Sequence, residues 1–369
     1  MGIVLVVVCT AVTLASIASL YVVTRRRRNA IAPGAPAVSV LKPLCGADDA
    51  LEANLETFFR QRYPRYELVF GVVGDDPAAA VARRLIARHP DVHARVVVHD
   101  GRRGLNPKVA NLRGILSAAG AHDLVIISDS NIAVGPDYVA NMVAHMDEGV
   151  GVVTSLFAGV GEETLGAALE NLHLCGPIAA GVAASQVLAG HAVVVGKSVM
   201  FRRSTFEALG GMESLASILA EDYVMGRMFK EAGYEVRLCP DVIANVVATT
   251  SVKRFVDRQM RWALLRSRLK PLLYPFEPLL SPLAVAVAAV LLGVDGPWPF
   301  YWAAGLTLVR DAACWIRLRG AAGLAAAAPL GLVKEALVLA AWAAAPFRRS
   351  IAWRGTRLCV SAGTRLYLR

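Results

Sequence analysis

Short apolar runs alternate with longer polar-faced segments over residues 38–247 of the 369-residue chain. The apolar runs start at residues 38, 67, 94, 123 and 150, where the chain reads VSVL, ELVFGVV, ARVVV, DLVIIS and VGVVTS. The segments between them, such as 49–60 and 77–89, have the length and pattern of helices. Strands that are apolar throughout are typical of a parallel sheet covered by helices on both faces. The pattern therefore predicts an α/β domain with a mostly parallel sheet.

A longer apolar run precedes this domain. Residues 3–23 carry no charged side chain, and Arg25 to Arg28 follow at once. A helix needs about 20 such residues to cross the hydrocarbon core of a membrane. Basic residues after the run place that end in the cytoplasm, whereas a cleavable signal peptide would carry its charge before a shorter apolar core. We expect a retained transmembrane anchor over residues 1–24 and a basic, Pro-rich linker over 25–37.

The chain becomes basic and then apolar again after residue 250. Seven Lys and Arg residues lie on a predicted amphipathic helix over 253–270, which favours an interfacial position. Apolar segments follow at 279–294, 297–316 and 321–347, and the first two are short enough for a tight hairpin. Lys334 and Glu335 lie in the middle of the third, where a charge that faces lipid costs at least ~2.5 kcal/mol. Because three full spans would also put the Arg-rich tail outside, we expect part of 321–347 to be re-entrant or interfacial.

These patterns divide the chain into six segments. The segments are an anchor (1–24), a linker (25–37), an α/β domain (38–250), a basic interfacial helix (251–275), membrane segments (276–347) and a basic tail (348–369).

Composition supports a domain joined to membrane segments. A hydrophobic content of 56% is too high for an ordinary soluble enzyme, and 18% charged residues are too many for a pure membrane bundle. The net charge of +10 comes from Lys and Arg that concentrate beside the apolar stretches, which favours an anionic membrane surface over nucleic acid. The six cysteines form no C-x-x-C pair, so neither a zinc site nor a disulfide framework is indicated, and a reducing compartment is the simplest context.

Carboxylates follow two of the predicted strands, which we expect to be neighbours in the sheet. Asp129 comes directly after DLVIIS, and Asp75 and Asp76 follow ELVFGVV after Gly74. Ligands of such sheets bind beyond the carboxyl ends of strands, and Mg²⁺ on a diphosphate takes one or two carboxylates. Lys108, in the segment GLNPKVANL between them, has the charge to meet phosphate. A turn with a helix start remains an alternative for each acid, and a solvated helix-start lysine remains one for Lys108.

Two further patterns lie downstream. Glu221 and Asp222 open a predicted helix, where they either take part in chemistry or merely complement the helix dipole. Gly196-Lys197-Ser198 looks like the end of a P-loop. That motif requires a glycine five positions before Gly196, but the residue at that position is His191. We therefore interpret VVVGKSVMF as a strand with a polar interruption, on the acceptor side of a pocket, and His191 as structural.

An ordered set of motifs resembles a known family. LKPLCG (41–46), GDDPA (74–78), NPKVANL (106–112), SDSNI (128–132), AEDY (220–223) and RQMRW (258–262) are similar to motifs of ceramide glucosyltransferases and related membrane-bound glycosyltransferases, including those of hopanoid biosynthesis. The resemblance covers residues 38–270 and the flanking membrane segments. It implies the nucleotide-sugar-binding α/β fold called GT-A, a sugar nucleotide donor and a membrane lipid acceptor.

The resemblance also implies roles for single residues. Asp76 or Asp75 corresponds to the acid near the nucleotide, Asp129 to the acid that holds a divalent metal (Mg²⁺ or Mn²⁺) and the diphosphate, and Asp222 to the catalytic base. Arg258, Arg261 and Trp262 match the motif that closes over diphosphate and acceptor. Asn131 departs from a strict D-x-D pattern, so metal binding rests on Asp129.

These roles predict a cytoplasmic catalytic domain on a multi-pass membrane protein. Its expected activity is inverting transfer of a sugar, glucose, from a UDP-sugar to the hydroxyl of ceramide. A hopanoid or polyprenyl lipid is the alternative acceptor, and a non-catalytic membrane scaffold is the alternative function.

Overall fold

A computed structural model describes residues 1–25, 34–46, 50–101, 104–353 and 356–368 of the chain, with backbone only for residues 352, 353, 356 and 357. Most of the predicted basic linker, residues 26–33, lies outside the described residues. The strands, numbered in chain order, are β1 (Val38–Pro43), β2 (Tyr66–Val73), β3 (Ala94–His99), β4 (Leu124–Ser128), β5 (Ile132–Ala133), β6 (Val150–Val160), β7 (Ser198–Arg202), β8 (Glu235–Val246), β9 (Ser350–Trp353), β10 (Thr356–Val360) and β11 (Leu366–Tyr367).

The helices are numbered in the same way. They are α1 (Gly2–Arg25), α2 (Leu51–Phe59), α3 (Ala78–Arg88), α4 (Pro107–Ala118), α5 (Tyr138–Val143), α6 (Leu165–His173), α7 (Ala179–Leu188), α8 (Arg203–Ala208), α9 (Glu221–Glu231), α10 (Val252–Leu269), α11 (Pro282–Leu291), α12 (Trp298–Arg319), α13 (Leu324–Ala327) and α14 (Gly331–Ala344).

The described residues fall into two compact units. The sheet unit comprises Thr24–Phe157 and Ala189–Val246, and the helical unit comprises Met1–Val23, Ala158–Leu188 and Val247–Arg369. Residues 158–188 thus belong to the helical unit, although the residues on both sides of them in sequence belong to the sheet unit. The pattern of apolar runs along the chain does not predict this excursion.

The sheet unit is built on a mixed sheet. Its described strands follow the order β3-β2-β1-β4-β7-β6-β8-β5. β1 pairs in parallel with β2 and β4, and β2 pairs in parallel with β3. The pairs of β4 with β7, β6 with β7, and β5 with β8 are antiparallel. The five predicted strands are confirmed as β1, β2, β3, β4 and β6.

Helices α2, α3 and α4 make the crossovers that parallel strands require. Asn111 of α4 shows how closely helix and sheet approach, because a Cβ atom on Gly71 of β2 would lie 2.2 Å from its side-chain oxygen. The Asn111 side-chain amide donates to the carbonyl oxygens of Leu44 (3.1 Å) and Gly71 (2.9 Å). This buried side chain therefore ties the ends of β1 and β2 to α4.

The helical unit contains the apolar helices. Among the described residues, two helices are long and apolar enough to cross a membrane, namely Gly2–Arg25 and the run Leu324–Phe347. A third candidate is the pair Tyr274–Leu280 and Pro282–Leu291, which is bent by 97°. Helix α1 packs on α11 and α12 through Val6, Cys9, Val285, Ala289 and Leu306.

The two charges in the middle of the last apolar run face protein. Lys334 and Glu335 are both buried. The Lys334 ammonium pairs with Asp311, and the Arg310 guanidinium lies 2.8 Å from Glu335. The charged residues of α12 therefore offset the cost of burying Lys334 and Glu335, which was the reason to expect a re-entrant or interfacial arrangement for part of 321–347. That arrangement stays a prediction, and a sharp bend of 97° lies between Leu280 and Pro282.

Candidate active site

The candidate site lies at the carboxyl edge of the parallel strands, within the sheet unit. Asp129 directly follows the fully buried strand β4, as predicted. Asp76 follows β2, but β1 lies between β2 and β4. The expectation that Asp76 and Asp129 end neighbouring strands is therefore wrong, because the crossovers place β1 between β2 and β4.

Asp129 is surrounded by lysines. One carboxylate oxygen lies 2.9 Å from the Lys108 ammonium, and the other lies 3.6 Å from that of Lys197. The Lys42 ammonium donates to the Asp129 backbone carbonyl at 2.6 Å. Burial alone would raise the pKa of Asp129, but Lys108 and Lys197 outweigh it and lower the pKa below its usual value. Asp129 is therefore held as a carboxylate.

The Lys108 side chain contacts three segments that are far apart in the sequence. Its ammonium lies 2.9 Å from Asp129 and 3.2 Å from Glu221, and it donates to the Gly196 carbonyl oxygen at 3.2 Å. Burial would lower the pKa of Lys108, but Asp129 and Glu221 raise it above its ordinary value. Lys108 is thus a permanent cation in contact with two of the acids.

Asn106 places Lys108 at the start of α4. Its side-chain oxygen accepts hydrogen bonds from the backbone N–H groups of Lys108 (2.9 Å) and Val109 (3.1 Å), which is the usual N-cap arrangement. Its amide donates to the Ile218 carbonyl oxygen (2.6 Å) and the Glu221 carboxylate (3.2 Å). Asn106 therefore links the start of α4 to the start of α9.

Glu221 and Asp222 occupy the first turn of α9. One Asp222 carboxylate oxygen accepts from the Gly196 N–H at 2.6 Å, and the other accepts from the Tyr223 N–H at 2.7 Å. A Cβ atom on Gly196 would lie only 2.8 Å from Asp222. Burial and then the nearby Asp222 charge raise the pKa of Glu221, although Lys108 opposes the shift. The two carboxylates therefore differ in their surroundings, since Asp222 accepts from backbone N–H groups whereas Glu221 lies beside the Lys108 ammonium.

Lys42 and Lys197 also belong to the site, although neither is among the residues predicted from the sequence motifs. Lys42 is 0% exposed on β1, with its ammonium 3.8 Å from the centroid of the Phe58 ring. Burial lowers its pKa well below the usual value, and Asp129 only partly opposes this. A lysine inside an otherwise apolar strand, in LKPLCG, was the available signal.

The loop before β7 differs from its predicted form. VVVGKSVMF was expected to be an interrupted strand, but β7 begins only at Ser198. Gly196 instead bonds to Asp222 and Lys108, and Lys197 approaches Asp129. The His191 ring lies 2.8 Å from the Ala189 carbonyl oxygen, and its structural role stays a prediction.

Asp75 and Asp76 lie in a different setting from Asp129. Asp75 is exposed. The Asp76 carboxylate accepts from the backbone N–H of Gly46 at 3.0 and 2.9 Å and from that of Ala78 at 2.9 Å. Asp76 thereby fixes the loop after β1 and the start of α3, so it shapes this edge of the sheet whatever it binds.

Asn131 stands where a D-x-D pattern would have its second acid, and its side chain makes structural hydrogen bonds. Its side-chain amide donates to the Asn245 side chain (3.2 Å) and to the Val246 carbonyl oxygen (3.1 Å). These bonds tie the loop after β4 to the end of β8. Asn131 is therefore structural here and leaves Asp129 as the acid of this loop.

The remaining predicted residues belong to the helical unit. Arg258, Arg261 and Trp262 lie on α10, and all three are half-buried. The Arg258 guanidinium pairs at 2.8 Å with Glu170, whose side chain is 0% exposed. Arg258 thus has a partner on α6 that the sequence motifs do not indicate.

Comparisons with known proteins agree with this fold and identify a family. The family model described as Glycosyl transferase family 21 matches residues 3–366. Ceramide glucosyltransferase 1 of Caenorhabditis elegans is 33% identical over 259 residues, which cover 67% of this chain and 53% of that protein. Ceramide glucosyltransferase 3 of the same organism is 31% identical over 252 residues, covering 66% of this chain and 53% of that protein. The chain thus spans about half the length of these curated relatives.

A solved structure supports the fold. The mannosyltransferase PcManGT from Pyrobaculum calidifontis, in complex with GDP-Man and Mn²⁺, matches with a TM-score of 0.54 at 22% identity. The match covers 94% of this chain and 98% of that one. This likeness confirms the predicted fold class, a GT-A-type α/β domain with apolar helices towards both ends of the sequence.

Proposed function

Because the chain belongs to glycosyl transferase family 21, we propose that it is a membrane-bound, inverting glycosyltransferase that moves glucose from a UDP-sugar to the hydroxyl of ceramide. The structural observation that supports this is the junction at Lys108, where Asp129 and Glu221 meet one ammonium beside Asp222 at the carboxyl edge of the sheet. The relatives named ceramide glucosyltransferase support glucose and ceramide. UDP as the sugar carrier follows from the motif resemblance.

In this proposal Asp222 acts as the general base. It accepts the proton of the lipid hydroxyl while that oxygen attacks the anomeric carbon, and the bond from that carbon to the diphosphate oxygen breaks. A single displacement of this kind inverts the anomeric centre. The hydrogen bonds from Gly196 and Tyr223 hold the Asp222 carboxylate in one orientation before the substrate arrives. Such preorganisation avoids the cost of orienting the base during the reaction.

The lysines supply positive charge for the leaving diphosphate. Lys108 and Lys197 both lie next to Asp129, and Lys108 is kept protonated by its acidic neighbours. Fixed cations at the point where charge develops are a strong source of transition-state stabilisation. We propose the same diphosphate and acceptor role for Arg258, Arg261 and Trp262.

A divalent cation fits this site only together with a diphosphate. Asp129 offers a single carboxylate, and Asn131 is turned towards Asn245. Within the described ranges, no group of three or more His, Cys, Asp or Glu side chains is arranged to hold a metal alone. Mg²⁺ and Mn²⁺ commonly fill such a site with one carboxylate, phosphate oxygens and water. We propose that Asp129 holds the ion, which when bound neutralises charge on the diphosphate.

The metal proposal predicts that donor binding is cation-dependent. We expect Asp129→Asn to weaken UDP-glucose binding by about tenfold in the presence of Mg²⁺, since one charged ligand is lost. Isothermal titration of the purified protein with and without a chelator measures this. Equal affinity under both conditions would show that Asp129 does not hold a metal.

The base proposal predicts a selective loss of turnover. Asn at position 222 keeps the shape of Asp but cannot accept a proton, so Asp222→Asn should lower the rate by about 10² to 10⁴. Donor affinity and folding should persist, because the helix start keeps a polar side chain. The measurement is lipid glucosylation at saturating UDP-glucose beside a titration on the same sample. Turnover close to wild type would exclude Asp222 as the base and direct attention to Glu221.

Acceptor identity is tested by product analysis. The purified protein is given UDP-glucose with ceramide, a hydroxylated hopanoid or a polyprenyl phosphate in parallel reactions. We expect glucosylceramide with the inverted, β configuration. Transfer to either other lipid alone would replace ceramide as acceptor, and nucleotide binding with no transfer at all would favour the scaffold alternative.

A further inference from the structure

Glu170 is a buried carboxylate in an apolar helix. It lies on α6, in the sequence LGAALENLH, and is 0% exposed. One of its oxygens lies 2.8 Å from the Arg258 guanidinium, and the other accepts from the Gln259 side-chain amide at 3.5 Å. A carboxylate removed from water is costly unless it is paired and hydrogen-bonded. Both partners of Glu170 come from the RQMRW motif on α10.

Backbone packing brings the two helices together. A Cβ atom on Gly166 would lie 2.2 Å from the Ser251 carbonyl carbon, so the start of α6 touches the start of α10 without room for a side chain. The Thr164 hydroxyl donates to the Thr250 carbonyl oxygen at 2.6 Å. Glu170 lies about one helical turn beyond Gly166. The packing of α6 against α10 therefore sets the distance between the Glu170 carboxylate and the Arg258 guanidinium.

We propose that Glu170 is the positioning residue for Arg258, holding the guanidinium ready for the diphosphate. The Arg258 side chain is still 29% exposed, so part of the guanidinium faces solvent while the Glu170 side of it is fixed. A free arginine loses much rotamer freedom when it binds a ligand, and a carboxylate that fixes it in advance lowers that cost. This inference rests on the proposed function, in which Arg258 contacts the diphosphate.

The helical unit also contains a matched control pair. Glu162 accepts from the two terminal nitrogens of Arg319 at 2.9 and 2.8 Å, and its side chain is 16% exposed. Arg319 lies on α12, outside the RQMRW motif. Glu162→Gln therefore removes an ion pair of the same chemistry from the same unit without touching Arg258.

The first test is a double-mutant cycle on turnover with UDP-glucose and ceramide. We expect Glu170→Gln to lower turnover about tenfold, and to change it by less than about twofold when Arg258→Gln is already present, because coupled residues are not additive. Glu162→Gln should leave turnover per folded protein unchanged. Equal effects of Glu170→Gln in both backgrounds would overturn the proposal, since a merely structural residue does not act through Arg258.

The second test does not depend on activity. Phenylglyoxal modification of Arg258, followed by peptide mass spectrometry, should be about 3 to 10 times faster in Glu170→Gln than in wild type and unchanged in Glu162→Gln, in line with the loss of a charge-assisted hydrogen bond. UDP should protect Arg258 in wild type and protect it less in Glu170→Gln. If Glu170→Gln does not fold, Glu170→Asp, which keeps the charge but shortens the reach, should show the same direction.

The two tests separate this proposal from the proposed function. If wild type glucosylates no lipid but labelling and UDP protection change as expected, the reaction is wrong and the positioning role stands. If wild type is active but Arg258 labels equally fast in wild type and Glu170→Gln, the positioning role is wrong and the reaction stands.

Discussion

At the scale of single residues, opposite charges are balanced within a few ångströms. Lys108 contacts Asp129 and Glu221, Lys197 approaches Asp129, and the buried Lys42 ammonium is satisfied by a carbonyl oxygen and the Phe58 ring. Buried charges persist only when they are paired or hydrogen-bonded. The pairing therefore keeps Lys108 and Asp129 charged at one point of the sheet edge. In the proposed function, a donor diphosphate replaces a carboxylate as the partner of Lys108.

Gly196 lies so close to Asp222 that one added methyl group would disturb the position of that carboxylate. An alanine Cβ would lie 2.8 Å from an Asp222 carboxylate oxygen and 3.0 Å from its Cβ. We expect Gly196→Ala to displace Asp222 and lower turnover by about 10², the usual cost of a misplacement of about 1 Å. UDP-glucose affinity, measured by titration, should stay within about threefold of wild type.

Gly135→Ala is the matched control, because a Cβ there meets nothing within 4 Å. It lies in the same unit and should keep full turnover. Wild-type rates in Gly196→Ala would contradict the view that the Gly196 backbone sets the position of Asp222.

At the scale of elements, helices α12 and α14 are joined by a neutral group of four charges. Arg310 and Asp311 of α12 pair with Glu335 and Lys334 of α14, and the Ser281 hydroxyl donates to Glu335 at 2.8 Å. All four charged side chains are at most 7% exposed. Charges in apolar helices are tolerated when they pair inside the bundle. The pairing thus specifies which helices pack together.

Breaking one pair should cost more than removing both partners. Lys334→Met leaves Asp311 without its lysine, and we expect the free energy of unfolding to fall by about 3 to 5 kcal/mol, as for other buried pairs with one partner removed. Lys334→Met combined with Asp311→Asn keeps the remaining Arg310–Glu335 pair neutral and should recover more than half of the loss. Melting in detergent, followed by tryptophan fluorescence, measures both.

Lys253→Met serves as the control for this comparison. The Lys253 side chain is 84% exposed in its pair with Asp257, so its loss should leave the melting temperature essentially unchanged. A double variant no more stable than Lys334→Met would contradict the pairing argument.

At the scale of the whole molecule, the apolar helices and the basic residues are the features that bear on membrane placement. The described residues include two helices apolar enough to span a membrane, and the net charge is +10. Arg25 ends the first of these helices. Because basic residues favour the cytoplasmic side, we propose that the sheet unit faces the cytoplasm.

Cysteine labelling tests this orientation. Ala80 is an exposed residue of α3, and the half-buried Cys45 is removed as Cys45→Ser to lower the background. In intact cells, Ala80→Cys should react with a membrane-permeant maleimide but not with an impermeant one, and should react with both after lysis. Efficient labelling of intact cells by the impermeant reagent would place the sheet unit outside.

The sequence by itself determined the elements and the ends of the strands. Five strands, the helices between them and the apolar helices were predictable, because burial and periodicity are recorded locally along the chain. The position of Asp129 just beyond β4 followed from the same local pattern. The excursion of residues 158–188 into the helical unit did not, because the pattern of apolar residues indicates each element but not the unit in which that element packs.

Only the tertiary structure decided which residues meet. It placed β1 between β2 and β4, brought Lys42 and Lys197 to Asp129, turned Asn131 away, and paired Glu170 with Arg258. Each of these contacts joins residues far apart in sequence. They depend on strand order and helix packing, which follow from the combined burial of the whole chain and leave no periodic signal at the residues themselves.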